Sequence, residues 1–411
     1  MSSLKCRFCR SCLQDSFIDL GTMPLANCYL RADQLNQVEA FYPLHAWVCS
    51  KCFLVQVGEV QSAEQLFRQY AYFSSYSETW LRHASEYASR MIERLGLGPQ
   101  NLVIEIGSND GYLLQYFKRH GVPVLGIEPA QNVAEVAVSK GIPTISEFFE
   151  STLATKLFAS NQQADLVVLN NVLAHVPDLN GFMDALRLVL KPDGILTVEF
   201  PHLLRMIEGN QFDTIYHEHL SYFSCCTAKE IFERHGFVVF DVEEFPTHGG
   251  SLRLYVMHAD QTAHSVNARV SEVCEGELSA GLWHLETYSR FPEAALEVKY
   301  SLLEFLLSAK RADKTVVGYG APAKGNTLLN YCGIGEDLLG YTVDASPHKQ
   351  QLFLPGSHIP IRHPETIRLT RPDYVLLLPW NLQREIVEEL SYARQWGCRF
   401  VIPIPRVQFI A

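Results

Sequence analysis

The sequence predicts an α/β protein: a small zinc-binding module at the N-terminus, a central Rossmann-like domain, and a second Rossmann-like α/β domain at the C-terminus. Three observations carry this. Residues 102–200 alternate short β runs with helical stretches, a second such series starts at 315, and two CxxC pairs mark the first 52 residues. Alternation of this kind implies parallel strands covered by helices. A chain of 411 residues also exceeds one core of ordinary size, so several domains are expected. The divisions fall at 1–65, 66–260 and 261–411.

The first segment has short apolar runs and turn residues but little core of its own, so it needs a staple. The chain has 11 cysteines, six of them within the first 52 residues. Clustering of that kind in a chain expected to be cytosolic argues for metal and against disulfides. Cys6-x2-Cys9 with Cys49-x2-Cys52 has the spacing of a structural zinc site, four thiolates closing a tetrahedron. Cys12 and Cys28 stay outside the set. From 66 to 98 the pattern turns helical, with Leu81, Ala84, Ala88, Met91, Ile92 and Leu95 three or four residues apart and Gly96 and Gly98 ending it.

Strands are expected over 102–106, 122–127, 143–145, 164–170 and 194–200, with helices over 111–119, 133–140 and 179–189 between them. Beyond these, 229–235 reads as a helix, and 238–244 and 252–258 as strands. A long amphipathic stretch covers 265–311. The second series comprises strands over 315–319, 339–343, 374–378 and 399–402, with helices over 324–331 and 383–396.

Hydrophobic residues are 47% and charged residues 19%, a globular composition without signs of disorder. The net charge of -11 argues against nucleic acid as a partner, while a local basic cleft could still hold a phosphorylated ligand. The N-terminus has no basic region followed by an apolar one, and no apolar run is long enough to cross a bilayer. A cytoplasmic monomer without a membrane partner is expected.

Glu105-Ile106-Gly107-Ser108-Asn109-Asp110-Gly111 ends a strand and opens a helix. Its glycines let backbone approach a ligand, and the helix start offers free N–H groups. The pattern is GxxxG and not the GxGxxG of dinucleotide binders, which favours S-adenosylmethionine (SAM). Glu128 ends the next strand, where a carboxylate can take both ribose hydroxyls. Asn170 and Asn171 end another strand of the same crevice, and His175 follows closely. A second glycine loop, 318–326, carries Lys324 and Asn326 at a helix start and suits a diphosphate. Trp380 ends a later strand, where an indole could stack on a base.

Tyr216-His217-Glu218-His219-Leu220-Ser221-Tyr222-Phe223 is the densest polar-aromatic run of the chain. It supplies a general base near neutral pH and donors to steady an anion. A polar surface loop beside an aromatic patch would look the same.

Taken together, the chain resembles the zinc-containing, SAM-dependent sugar C-methyltransferases of deoxysugar biosynthesis. The resemblance runs through Cys6-x2-Cys9, Leu20-Gly21-x2-Pro24-Leu25-Ala26-Asn27, Tyr72-Phe73-Ser74-Ser75-Tyr76-Ser77, the two glycine loops, the 216–224 run and Leu354-Pro355-Gly356. It implies methylation of a ring carbon, usually C-3 and sometimes C-5, of a nucleotide-linked 4-keto-6-deoxy sugar. It implies that Tyr216, Glu218 and His219 line the active site with His219 as base, and that His175 and Tyr70 are neighbours. Tyr72 and Tyr76 compete for the place of Tyr70, and with Tyr222 they are expected at the substrate beside Lys324, Asn326 and Trp380. The chemistry is coherent on its own terms: carbon is a poor nucleophile, and a ketone beside it permits an enolate once a base removes the α-proton. Sugar O- or N-methylation, or an inactive nucleotide-sugar binding protein, are the rival readings.

Overall fold

The computed structural model describes residues 4–67 and 73–410. The expected α/β class is correct, and its strands form three sheets. The first is antiparallel: Asp15–Met23, Tyr42–Val48 and Val55–Val57 lie side by side, and Ser221–Tyr222 adds a fourth strand. That fourth strand belongs to the polar-aromatic run. Val55 pairs with Tyr222 and Gln56 with Ser221, so the run is tied to the cysteine module by main-chain hydrogen bonds.

The second sheet has seven strands in the order Phe237–Phe245, Ser251–His258, Leu190–Pro201, Ala164–Asn170, Val103–Ile106, Val124–Ile127 and Thr144–Ile145. The last five run parallel, and the hairpin of 237–245 and 251–258 closes one edge antiparallel. Strand order reverses at Val103–Ile106, which pairs with Val124–Ile127 on one side and Ala164–Asn170 on the other. A crevice opens beyond the carboxyl ends of strands at such a switch point. The third sheet, ordered Ile361–Arg362, Thr342–Val343, Val316–Tyr319, Tyr374–Leu377, Arg399–Ile402 and Gln408–Ile410, is parallel except for its last strand.

The helix expected over 66–98 is Glu78–Leu95. Ser77 caps its start by accepting from the Trp80 amide, and Gly96 in the left-handed region ends it. Two expectations need correction, and one helix was not expected. Ser151–Ala159 is a helix that went unread; Leu153, Ala154 and Leu157 are its buried face. The stretch 265–311 is three helices, Ala268–Ser279, Leu285–Ser289 and Phe291–Arg311. The first break comes at Gly281, whose φ of +85° leaves the helical region. The helix expected over 383–396 ends as Gln383–Glu389, followed by a 3-10 segment Ser391–Trp396. Among the described residues no helix is long and apolar enough to cross a membrane.

Candidate active site

The glycine loop follows directly on Val103–Ile106. Gly107 and Asn109 take φ of +67° and +47°, so the chain turns sharply, and the Gly107 and Ser108 amides donate to the Ile127 carbonyl at 2.8 and 3.2 Å. Gly107 has no room for a side chain: a Cβ there would lie 2.5 Å from Val172 Cγ2. Glu128 is buried, its Oε2 accepting from the Asn109 amide at 3.0 Å and its Oε1 from the Ala130 amide at 2.9 Å. Burial pushes its carboxyl up to about 7, against the pull of those two amides. Asn109 Oδ1 in turn accepts from the Ser74 amide at 2.8 Å. Gly107, Asn109, Glu128, Asn170 and Asn171 all line one cleft of about 860 Å³, within the range of small-molecule sites.

The same cleft is lined by Tyr216, His219 and His175, and by His248, Lys324 and Lys349. Sequence reasoning missed His248 and Lys349. The polar-aromatic run is not extended here. A turn, closed by the His219 amide on the Tyr216 carbonyl at 2.9 Å, sets the two rings 4.0 Å apart. Tyr216 Oη and His219 Nε2 are 2.6 Å apart, and His219 Nδ1 lies 3.1 Å from the Thr214 carbonyl. A carbonyl only accepts, so Nδ1 carries the ring proton and Nε2 accepts from the Tyr216 hydroxyl. Burial, then the neighbouring His175, holds His219 well below the usual imidazole range. Burial likewise brings His175 and His248 to about 4 each. All three rings are therefore neutral at pH 7.

Lys324 stands at the start of helix Ala323–Cys332. Its ammonium is 3.0 Å from Asn381 Oδ1 and 4.5 Å from the centre of the Trp380 ring. Burial lowers its pKa, and the carboxylate of Asp213 partly offsets this. Lys349 Nζ donates to the Ala321 carbonyl at 2.9 Å. Both lysines line the cleft and both come from the C-terminal third of the chain.

Several expected site residues do not line it. Glu105 is fully buried beneath the loop, and burial holds its carboxyl well above the ordinary range. Ser108 packs against Gly126, and Gly111 is required by φ +77° and by Ile142 beside it. Glu218 is buried, and both of its oxygens accept from Asn27 Nδ2 at 2.8 and 2.9 Å. Asn27 itself lines the cleft, so Glu218 orients a wall residue. Asn326 is buried and donates to the Ala26 carbonyl at 2.6 Å. Trp380 has no face open to a base: its indole is buried and its N–H donates to Asp213 Oδ2 at 2.7 Å. Tyr222 is in the core, a strand residue of the first sheet. Tyr76 is half exposed, with its hydroxyl 3.1 Å from His348 Nε2. Tyr70 and Tyr72 lie outside the described residues.

In the N-terminal module the sulfur atoms of Cys6, Cys9, Cys49 and Cys52 all lie within 4.8 Å of one another. Cys6–Cys52 and Cys9–Cys49 are each 3.5 Å apart, close to the edge of about 3.8 Å of a zinc–thiolate tetrahedron. Gln56 Nε2 donates to Cys6 Sγ at 3.3 Å, the supporting hydrogen bond a metal thiolate needs. The four thiols fit zinc, and Cys12 is exposed outside them.

Three family models match in succession: a zinc binding domain over 6–67, a methyltransferase domain over 80–242 and a C-methyltransferase C-terminal domain over 246–405. The C-methyltransferase NovU of Streptomyces niveus is 36% identical over 406 residues, covering 98% of this chain and 96% of its own length. A ubiquinone biosynthesis O-methyltransferase of Bartonella bacilliformis is 30% identical over 97 residues, 23% of this chain and 39% of that one. A solved structure of magnesium protoporphyrin IX methyltransferase from Synechocystis PCC 6803 covers 43% of this chain and 79% of its own at 15% identity, with a TM-score of 0.34.

Proposed function

The chain belongs to the C-methyltransferase family, and from that premise we propose that it methylates a ring carbon, C-3, of a nucleotide-linked 4-keto-6-deoxy sugar through an enolate. It is a SAM-dependent enzyme, and its N-terminal module holds zinc. The observation that carries the proposal is the Tyr216–His219 hydrogen bond of 2.6 Å around a neutral imidazole, in one cleft with the glycine loop.

The bound cofactor supplies an electrophilic methyl group on sulfonium. The Gly107–Asn109 backbone and Glu128 would hold it, the carboxylate accepting from the ribose hydroxyls. Lys324 and Lys349 would face the diphosphate of the sugar nucleotide. The free lone pair of His219 is on Nε2, and Tyr216 Oη already occupies it. The α-proton therefore passes to the Tyr216 oxygen as the phenol proton moves to His219 Nε2. The Thr214 carbonyl steadies the resulting imidazolium at Nδ1. His175 spends its one ring proton on the Glu218 carbonyl at 2.8 Å, whereas neutral His248, whose Nε2 accepts from Asn171 Nδ2, can donate from Nδ1 to the developing enolate oxygen.

Solvent-deuterium exchange tests this. With the demethylated cofactor product in place of SAM, the enzyme should wash deuterium into a nucleotide-linked 4-keto-6-deoxy sugar. His219→Asn and Tyr216→Phe should each slow exchange and methylation by about 10²–10⁴-fold, the range for losing a general base. Exchange at the wild-type rate in the Tyr216 variant would make His219 the direct base. Methyl transfer with no exchange in the wild type would mean that oxygen or nitrogen is methylated. Lys324→Ala should raise KM for the sugar nucleotide and leave SAM affinity unchanged; loss of SAM affinity instead would reverse the two ligand sites.

A further inference from the structure

A second cluster of metal-ligating groups lies apart from both the cleft and the paired cysteine knuckles of the N-terminal module. One ligand atom each of Cys226, Cys274 and Glu277 falls within 4.8 Å of the others. The three come from two helices. Cys226 is the second residue of Cys225–Arg234, while Cys274 and Glu277 are three apart on Ala268–Ser279 and so share a face.

The carboxylate of Glu277 is buried and held from several sides. Its Oε1 accepts from the Cys225 amide and faces His202 Nε2 at 2.6 Å, and its Oε2 accepts from the Cys226 amide at 2.9 Å. A carboxylate has about four lone-pair positions. These contacts use three, which leaves one on Oε2. An oriented carboxylate backed by a buried histidine is the support that metal ligands receive. The thiol of Cys226 hydrogen-bonds with Cys274 and with this carboxylate. The thiol of Cys225, buried on the same turn, hydrogen-bonds with that of Cys274 and lies outside the group of three.

We propose that Cys226, Cys274 and Glu277 form a second zinc site, with water completing the tetrahedron. Two thiolates and one carboxylate suit a borderline-soft divalent ion and do not suit magnesium or calcium, which take oxygen ligands. Binding releases the two thiol protons to solvent and involves no redox change. The ion would fasten Cys225–Arg234, the helix that follows strand Ser221–Tyr222, to Ala268–Ser279. Thr227, next to Cys226, hydrogen-bonds the carbonyl of the zinc ligand Cys52 at 3.0 Å. The two ions would therefore both brace the helix that follows the run.

The test is metal content of the full-length protein, purified under reducing conditions, loaded with zinc and dialysed against metal-free buffer. Two zinc ions per chain are expected, falling to one in Cys226→Ser and in Cys274→Ser. Cobalt substitution should show two sets of thiolate-to-cobalt bands, with the set of lower intensity lost in those variants. One zinc per chain in the wild type overturns the proposal, and this measurement does not depend on any variant folding. A stoichiometry of two that survives both substitutions also overturns it, as does a Cys226–Cys274 disulfide in the reduced preparation.

Discussion

Glu128 shows how one side chain links environment to affinity. Its carboxyl is pushed up to about 7 because burial outweighs two amide hydrogen bonds. The ionised form is the better acceptor for ribose hydroxyls. Above pH 7 it is ready to bind, and below pH 7 binding must first expel a proton. SAM affinity should thus fall as pH drops from 8 to 6, by up to about tenfold per unit. Calorimetric titration at several pH values checks this, and Glu128→Gln should flatten the curve. Glu128→Ala should weaken SAM binding by about 1–3 kcal/mol through the lost hydrogen bonds; an unchanged affinity would mean that the cofactor lies elsewhere. At this scale residue type was readable and contact was not. Tyr216 and His219 stood out as a dense pair, but their shared hydrogen bond depends on a turn. Trp380, Asn326 and Glu218 carried the right chemistry, yet each is spent on a partner distant in sequence: Asp213, Ala26 and Asn27.

Among elements, the strand–loop–helix unit at Val103–Ile106 is the most constrained. Gly107 has a positive φ and no space for a methyl group beside Val172. Gly107→Ala would cost about 1–2 kcal/mol for the left-handed backbone alone. It would also push the loop from the strand end at Asn170–Asn171. SAM affinity should drop at least tenfold while the far-UV spectrum stays native; full affinity in a folded variant would remove the loop from the cofactor site. Elements with strong periodicity were readable. The strands Ala164–Asn170 and Arg399–Ile402 and the helix Leu179–Val189 fall where apolar spacing places them. The short strands Ile361–Arg362 and Gln408–Ile410 were not readable. Two or three residues hold no periodicity, and only pairing with a neighbour makes them strands.

Over the whole molecule, the 216–223 run is where the sheets meet. Its end pairs with the zinc module through Val55–Tyr222. Its start packs on the C-terminal domain, where Thr327 Oγ1 donates to the Ile215 carbonyl at 3.0 Å. Removing zinc should therefore do more than unfold an appendage. Cys49→Ser should lose the metal of the N-terminal module, melt that module and lower turnover, while SAM affinity persists because its residues sit on the second sheet. Metal analysis with initial rates checks this, and a metal-free, folded and fully active variant would refute it. By itself the sequence determined the α/β class, the four cysteines of the zinc cluster and the sharp glycine turn after Val103–Ile106. Each is encoded locally, as a period, a fixed spacing or a glycine the backbone requires. Only the tertiary structure decided that His248 and Lys349 face the cleft, that Tyr222 is a strand residue of another sheet, and that Cys226 meets Cys274. Such contacts join residues far apart in the chain, and short-range patterns in sequence hold no record of which faces will be packed together.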